Sequence, residues 1–469
     1  MLITTLILLC HLAGLLSSLK AIMDTRTAQG TIAWVISLNT FPYVAVPAYW
    51  VFGRSKFAGY VGARRAEFVK TNAVAQELLA HFDREKLASQ EQRAGRTLLE
   101  RLAKLPFSAH NRPELLIDGE ATFQAIFEEI DRAKDYVLVQ FFIIHDDGLG
   151  RRLREALVAA TRRGARCFVL YDEIGTRGLD DYAAGLRSDG VRIVPFHTTK
   201  GRTNRFQINF RNHRKIVVVD GKSAFVGGHN VGDEYLGLDP KFGPWRDTHV
   251  KVVGPVVQCV QVSWAEDWNW ATGEVPPLNW KPEPAEGGIS ALCLPSSPAD
   301  ELETATLFFL HAINSARKRL WIASPYFVPD TQFISALQLA ALRGVDVRVI
   351  TPEHPDHPLV WLSAFSYLPE TESVGIKWFR YQPGFMHQKV MLVDDDYCSV
   401  GTANFDNRSF RLNFEITMVF ADPAFAAQVA AMLEHDLENS RLAAAHELTN
   451  ASPWFRLKVR IARLMSPIQ

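Results

Sequence analysis

Residues 212–220 read NHRKIVVVD and residues 386–394 read MHQKVMLVD. Each holds His-x-Lys followed, after four residues, by Asp, and each runs through aliphatic, largely β-branched residues of strand character. On a strand, residues two apart share a face and residues an odd number apart do not. His213 and Lys215 are therefore expected to point one way and Asp220 the other, and His387, Lys389 and Asp394 repeat the arrangement. The pattern predicts a His-Lys pair that meets one ligand and an Asp that anchors something behind the strand. A single copy of so short a motif would carry little weight. Two copies change that.

The surroundings repeat as well. AIFEEIDRAKDYVLVQFFIIHDD is echoed by FFLHAINSARKRLWIASPYFVPD, ALVAATRRGARCFVLY by ALQLAALRGVDVRVIT, and DGVRIVPF by VGIKWFRY. Gly164 and Gly344 lie 180 residues apart, and His213 and His387 lie 174 apart. Periods this long indicate two homologous domains rather than solenoid units. Within each, helical and strand patterns alternate, which predicts an α/β sandwich around a largely buried sheet. The first domain is expected over 112–273 and the second over 291–445, separated by a Pro- and Gly-rich linker at 274–290. A helical connector at 56–111 precedes them. The tail, 446–469, contains WFRLKVRIARLM, in which Trp454, Leu457, Ile461 and Leu464 share a helical face beside Arg456, Lys458, Arg460 and Arg463. Such a segment suits an anionic lipid surface or packs on the body, and the sequence leaves both open.

Composition narrows the class. The chain has 469 residues with 51 basic and 51 acidic side chains, and this balance argues against a dedicated nucleic-acid binder. The five cysteines, Cys10, Cys167, Cys259, Cys293 and Cys398, are scattered and form neither a disulfide framework nor a zinc motif. Residues 1–55 read as a membrane anchor with uncharged runs at 2–18 and 30–53. A cleaved signal peptide would need a basic start and a small-x-small cleavage site, and both are missing. Pro42 and Pro47 are expected to kink the second run, which membrane helices tolerate. Arg54, Lys56, Arg64 and Arg65 follow it, against Lys20, Asp24 and Arg26 between the runs, so the large carboxy-terminal part is expected on the cytoplasmic side.

Just beyond each motif comes glycine and then Asn230 or Asn404, in FVGGHNVGDEY and SVGTANFDNRS. A glycine turn lets backbone approach a phosphate and an Asn amide can donate to its oxygens. Asp247 in WRDTHV and Glu415 in LNFEI follow. A carboxylate holding a histidine Nδ1–H fixes the tautomer and leaves Nε2 free as base or nucleophile.

RNHRKIVVVDG, GGHNVGDEYLG, WRDTH, PYFVPD, GFMHQKVMLVDD and GTANFDNRSFRLNFE resemble the phospholipase D superfamily, and more narrowly its bacterial cardiolipin synthases. The resemblance covers nearly the whole chain. It implies that the two repeats pack together and bring both His-Lys pairs into one site. It implies His213 as nucleophile, forming a phosphatidyl-histidine, and His387 as general acid and then base. Lys215 and Lys389, with Asn230 and Asn404, would hold the phosphate oxygens, while Asp247, Glu415, Asp220 and Asp394 complete the expected set. The implied substrate is phosphatidylglycerol, the products are cardiolipin and glycerol, and neither metal nor other cofactor is needed. The implied location is a bacterial inner membrane, crossed more than once. Swapped histidine roles stay open, as do hydrolysis by the same site and a membrane-anchored lipid-binding protein without activity. A nucleic-acid phosphodiesterase is opposed by the apolar runs and the balanced charge. Gly228 stands where many superfamily members carry Ser, which implies a hydroxyl contact missing from the first copy.

Overall fold

Every residue of the segment Tyr136–Phe141, YVLVQF, is buried, as a near-continuous apolar run in a doubly covered sheet should be. The computed structural model describes residues 2–24, 27–53, 68–89, 95–197 and 209–469. In the first half the strands are β1 (Ser108–Ile117), β2 (Tyr136–Phe141), β3 (Arg166–Asp172), β4 (Arg192–Phe196), β5 (Arg211–Asn212), β6 (Ile216–Val219), β7 (Ser223–Gly227), β8 (Trp245–Arg246) and β9 (Thr248–Val253). In the second they are β10 (Ile289–Ser296), β11 (Arg319–Ala323), β12 (Phe327–Val328), β13 (Asp346–Pro352), β14 (Lys377–Tyr381), β15 (Phe385–Met386), β16 (Val390–Val393), β17 (Tyr397–Gly401), β18 (Phe405–Asp406), β19 (Asn413–Ala421) and β20 (Ser440–Ala443).

The internal repeat becomes a repeat of topology. The first half runs β1-β9-β7-β6-β2-β3-β4 and the second β10-β19-β17-β16-β11-β13-β14, with β20 added at the far edge. Antiparallel pairing of β1 with β10, Ser108 against Ala291 and Asn111 against Ile289, joins the halves into one sheet. Period-2 alternation sorts the strand side chains between two layers. Val137, Val139, Cys167, Val169, Val217 and Val219 enter one core, while Tyr136, Leu138, Phe168, Leu170, Ile216 and Val218 enter the other. Each fully buried aliphatic or aromatic side chain contributes about 1.5–3 kcal/mol.

Two short strand pairs break this regularity and position the site. β5 pairs with β19 of the opposite half, and β8 pairs with β15. The chain thus crosses between halves immediately before each His-x-Lys segment. Those segments are not strand: β6 starts at Ile216 and β16 at Val390. The strand-parity expectation for His213 and His387 is corrected accordingly, because cross-half pairing ends at Asn212 and Met386 and the backbone must turn before re-entering its own sheet.

The described cysteines are all free thiols, and all but Cys10 are buried. The amino-terminal part holds three helices, α1 (Leu2–Asp24), α2 (Ala28–Thr40) and α3 (Pro42–Phe52). Among the described residues α1 alone is long and apolar enough to cross a membrane. The single span expected over 30–53 is therefore corrected to two shorter helices. Pro42 supplies no N–H to continue α2 but fits the first turn of α3. At the other end, the helix Pro453–Leu464 buries Val459 and Ala462 against the body and leaves Trp454, Leu457, Ile461 and Leu464 exposed.

Candidate active site

The two histidines are held by carboxylates of the opposite half. His213 Nδ1 lies 3.0 Å from Glu415 Oε2, and His387 Nδ1 lies 2.8 Å from Asp247 Oδ2. A carboxylate can only accept, so each Nδ1 carries the proton and each Nε2 keeps its lone pair. The strand exchange enforces this crossing: His213 N–H donates to Phe414 O at 2.9 Å and His387 N–H to Arg246 O at 2.7 Å. Each histidine is thereby tied to the residue preceding its carboxylate.

The carboxylates are themselves fixed. Glu415 accepts from Thr402 Oγ1 at 2.6 Å, Ser409 Oγ at 2.8 Å and Asn413 Nδ2 at 3.0 Å. Asp247 accepts from the Thr248 N–H at 2.7 Å. Thr402 stands one repeat after Gly228, and a Cβ on Gly228 would sit 2.0 Å from Asp247 Oδ1. The glycine is thus a place where the Asp247 carboxylate needs the room, not only a missing hydroxyl.

Lys215 and Lys389 are buried, and each folds its ammonium back onto the carbonyl oxygen of its own motif histidine, Lys215 at 2.7 Å. Burial drives both lysines down, Lys389 to about 8. Burial, reinforced by Lys215 and Lys389, lowers His213 to about 4 against the pull of Glu415. His387 is lowered to about 3 by burial and then by Lys389, with Lys215 adding to it. Pairing of β5 with β19 and of β8 with β15 brings both His-x-Lys segments to the seam between the halves. Burial opposes an ionised Asp247, yet His229, the His387 hydrogen bond and Lys389 hold its carboxyl below the usual range.

Asp220 and Asp394 do not join this cluster. Both adopt left-handed backbone, at φ 53° and 54°, where the strand ends. Asp220 accepts the N–H groups of Lys134, Asp135 and Tyr136 at 2.8–2.9 Å, and Asp394 those of Arg317, Lys318 and Arg319 at 2.7–3.2 Å. They tie the motif strand to the start of β2 or β11. Asn230 accepts from the Ile143 N–H at 3.2 Å and donates to Tyr235 Oη at 3.0 Å. Asn404 is linked to Glu415 through Ser409, whose Oγ accepts the Asn404 N–H at 3.0 Å.

Several site residues carry no motif signal. Phe142 lies edge-on to His213 at 5.1 Å between ring centroids, and Trp245 lies 5.2 Å from His387. Asp267 Oδ2 accepts from Gln140, Asn212 and Arg214, each at 2.8 Å. Its counterpart Asp436 accepts from Gln388 at 2.6 Å and, bidentately, from Arg246 at 2.7 and 2.9 Å. Both aspartates lie on the long helix that closes each half, Val256–Thr272 and Pro423–Glu438, and clamp the residue after each histidine. The signal available was an acid about twenty residues beyond Asp247 and Glu415. Removing one partner of so buried a pair costs about 3–5 kcal/mol. Asp436→Ala is therefore expected to lower the unfolding free energy by that amount, read from denaturant unfolding of the purified full chain, with Arg246→Ala matching it and the double variant costing less than the sum.

With this geometry in place, comparison with known proteins is decisive. A family model described as "Cardiolipin synthase, PLD-like domain" matches residues 126–239 and 309–437, one segment in each half. Cardiolipin synthase A of Pseudomonas entomophila (strain L48) is 50% identical over 467 residues, covering 99% of this chain and 98% of that protein. The chain belongs to the cardiolipin synthase family of phospholipase D-like proteins. Cardiolipin synthase A of Pseudomonas putida (strain GB-1) is likewise 50% identical, over 98% of this chain and 97% of its own. Among solved structures, phosphatidylserine synthase of Haemophilus influenzae Rd KW20 aligns with 81% of this chain and all of its own, at a TM-score of 0.62 and 17% identity. That likeness concerns the fold, two phospholipase D-like halves in one chain. The family membership makes the chain an enzyme, a phosphatidyltransferase.

Proposed function

We propose that the chain joins two molecules of phosphatidylglycerol into cardiolipin with release of glycerol, through a phosphatidyl-histidine on His213. The observation that carries this reading is the crossed pairing of His213 with Glu415 and His387 with Asp247. Displacing an alkoxide from a phosphodiester needs a nucleophile on one face of phosphorus and an acid on the other. Two oriented imidazoles supply both. His213 Nε2 attacks phosphorus, and the bond to the leaving glycerol oxygen breaks as His387 gives that oxygen a proton. His387 Nε2 then takes the proton from the glycerol hydroxyl of a second phosphatidylglycerol, whose oxygen displaces His213. Lys215 and Lys389 face the charge that builds on the phosphate oxygens. The exposed apolar helix α1 anchors the chain to the membrane that holds the substrate.

In the free site both imidazoles are neutral at pH 7, since His213 titrates at about 4 and His387 at about 3. An acid is needed all the same. The phosphodiester brings the negative charge that offsets the two lysines, so binding raises the pKa of His387 and draws a proton onto it. Binding of a non-reacting phosphodiester lipid analogue is expected to take up about one proton per site at pH 7. Titration calorimetry in buffers of different ionisation enthalpy reads this number. Zero uptake, or proton release, contradicts the assignment of an imidazolium acid.

The function itself is tested with headgroup-labelled phosphatidylglycerol in membranes, following products by mass spectrometry. Cardiolipin and free labelled glycerol are expected. Phosphatidic acid without cardiolipin would show water as the acceptor and replace the synthase by a hydrolase.

A further inference from the structure

After α1 come two short uncharged helices, α2 and α3. At 1.5 Å per residue, the 23 residues of α1 extend about 34 Å, enough for a hydrocarbon core of roughly 30 Å. The 13 residues of α2 extend only about 20 Å and the 11 of α3 about 16 Å. Chain connectivity and side-chain contacts together fix their directions. α2 starts at Ala28, shortly after α1 ends at Asp24, and its last turn reaches back to the middle of α1, so it runs back along α1: Gly14 meets the Leu38 carbonyl so closely that a Cβ would sit 2.2 Å from it, and Asn39 Nδ2 donates to Ser18 Oγ at 2.8 Å. α3 turns again. Tyr43 Oη lies 3.4 Å from His11 Nε2, whereas Trp50 Nε1 donates to Ser17 Oγ at 3.2 Å. As α3 advances from 43 to 50, its partners on α1 advance from 11 to 17, so α3 is parallel to α1 and antiparallel to α2. The rings of Trp34 and Tyr49, meeting edge to face at 5.3 Å, agree.

The Phe41–Pro42 tip is therefore level with His11 and Gly14, the middle of α1. Its backbone suits that depth: Phe41 N–H donates to Ser37 O at 2.8 Å, Phe41 O accepts from Ala45 N–H at 2.9 Å, and Pro42 has no N–H to satisfy. Polar Ser17 and Ser18 are buried among the three helices, while Ile32, Ile36, Phe41 and Val44 are 58–70% exposed. No Asp, Glu, Lys or Arg occurs over 2–19 or 27–53.

We infer that α1 crosses the bilayer and that α2 and α3 form a re-entrant hairpin, dipping to the mid-plane from the side of the catalytic domains and returning to it. The lipid-facing partner of this hairpin is the acyl layer of that one leaflet. The inference is independent of the reaction proposed above. It also changes the sidedness: the Leu2 end of α1 lies across the membrane from the catalytic domains, where two crossing spans would put both on one side. Charge favours the re-entrant arrangement. Lys20 and Arg26, around the end of α1, and Arg54, Lys56, Arg64 and Arg65, after α3, then belong to the catalytic side, and the far side carries none of them.

The test uses the full chain in bacterial spheroplasts, in a Cys10→Ser background, with single cysteines at Leu2, Gln29 or Arg132 and a membrane-impermeant maleimide. Leu2→Cys is expected to react from outside, and Gln29→Cys and Arg132→Cys only after permeabilisation. External labelling of Gln29→Cys with protection of Leu2→Cys means two crossing spans and overturns the inference, as does any pattern that separates Gln29→Cys from Arg132→Cys. An epitope fused ahead of Met1 on the otherwise unaltered chain gives a second reading: external protease is expected to strip it, and protection overturns the inference.

Discussion

With a phosphatidyl donor that carries a good leaving group, such as a p-nitrophenyl ester, His387→Ala protein should gain the mass of one phosphatidyl group and His213→Ala protein should gain none. A leaving group that departs without protonation removes the need for the acid in the first step but not for the nucleophile. In the His387→Ala protein the adduct then accumulates, because nothing deprotonates the acceptor hydroxyl. Turnover of phosphatidylglycerol is expected to fall by on the order of 10⁴-fold or more in both variants, since residues of one catalytic unit fail together. Intact-protein mass spectrometry reads the adduct and a cardiolipin assay reads the turnover. An adduct on His213→Ala and none on His387→Ala would exchange the two roles. Absence of adduct from both, with turnover retained, would remove the covalent intermediate.

The second large effect separates the carboxylates. Glu415→Gln disturbs the partner of His213, and Asp247→Asn that of His387. Loss of the orienting acid in a comparable imidazole pair costs about 10⁴-fold in turnover. Either substitution is expected to approach that with phosphatidylglycerol. The activated donor distinguishes them: the Asp247→Asn protein forms adduct at close to the parent rate, and the Glu415→Gln protein does not. Non-additivity should follow the same lines, with His387→Ala hardly worsened by Asp247→Asn. If Glu415→Gln spares adduct formation and Asp247→Asn blocks it, the carboxylates do not act through the histidines they touch.

Much of this was legible in the primary structure because it is periodic. The duplicated motif, the alternating α and β patterns and the echoing segments predict the two-half α/β architecture, and the topology repeats strand for strand. Strand parity sets Asp220 and Asp394 apart from the His-Lys pairs, but by the wrong geometry: His213 and Lys215 lie outside β6, and their proximity comes from the lysine folding onto the His213 carbonyl. The crossing of the carboxylates has no local signature. His213 and Glu415 are 202 residues apart, His387 and Asp247 are 140 apart, and their pairing depends on two-residue strand exchanges too short to show a period. Asp267 and Asp436 read as ordinary helix acids until burial reveals what they hold. Pro42 is visible as a break, yet whether a broken helix continues or doubles back depends on partners along α1, which no window around residue 42 contains.

The exchange between halves also sets a clock on the enzyme during its own synthesis. His213 leaves the ribosome 202 residues before Glu415. At roughly 5–20 residues per second that interval is about 10–40 s. Throughout it, α1 is already available to the membrane while the first histidine has neither its orienting carboxylate nor the Phe414 carbonyl that holds its backbone. A chain that ends before β19 is therefore expected to reach its lipids without an oriented His213. It is β19 of the second half, not the first motif, that completes the surroundings of the first histidine.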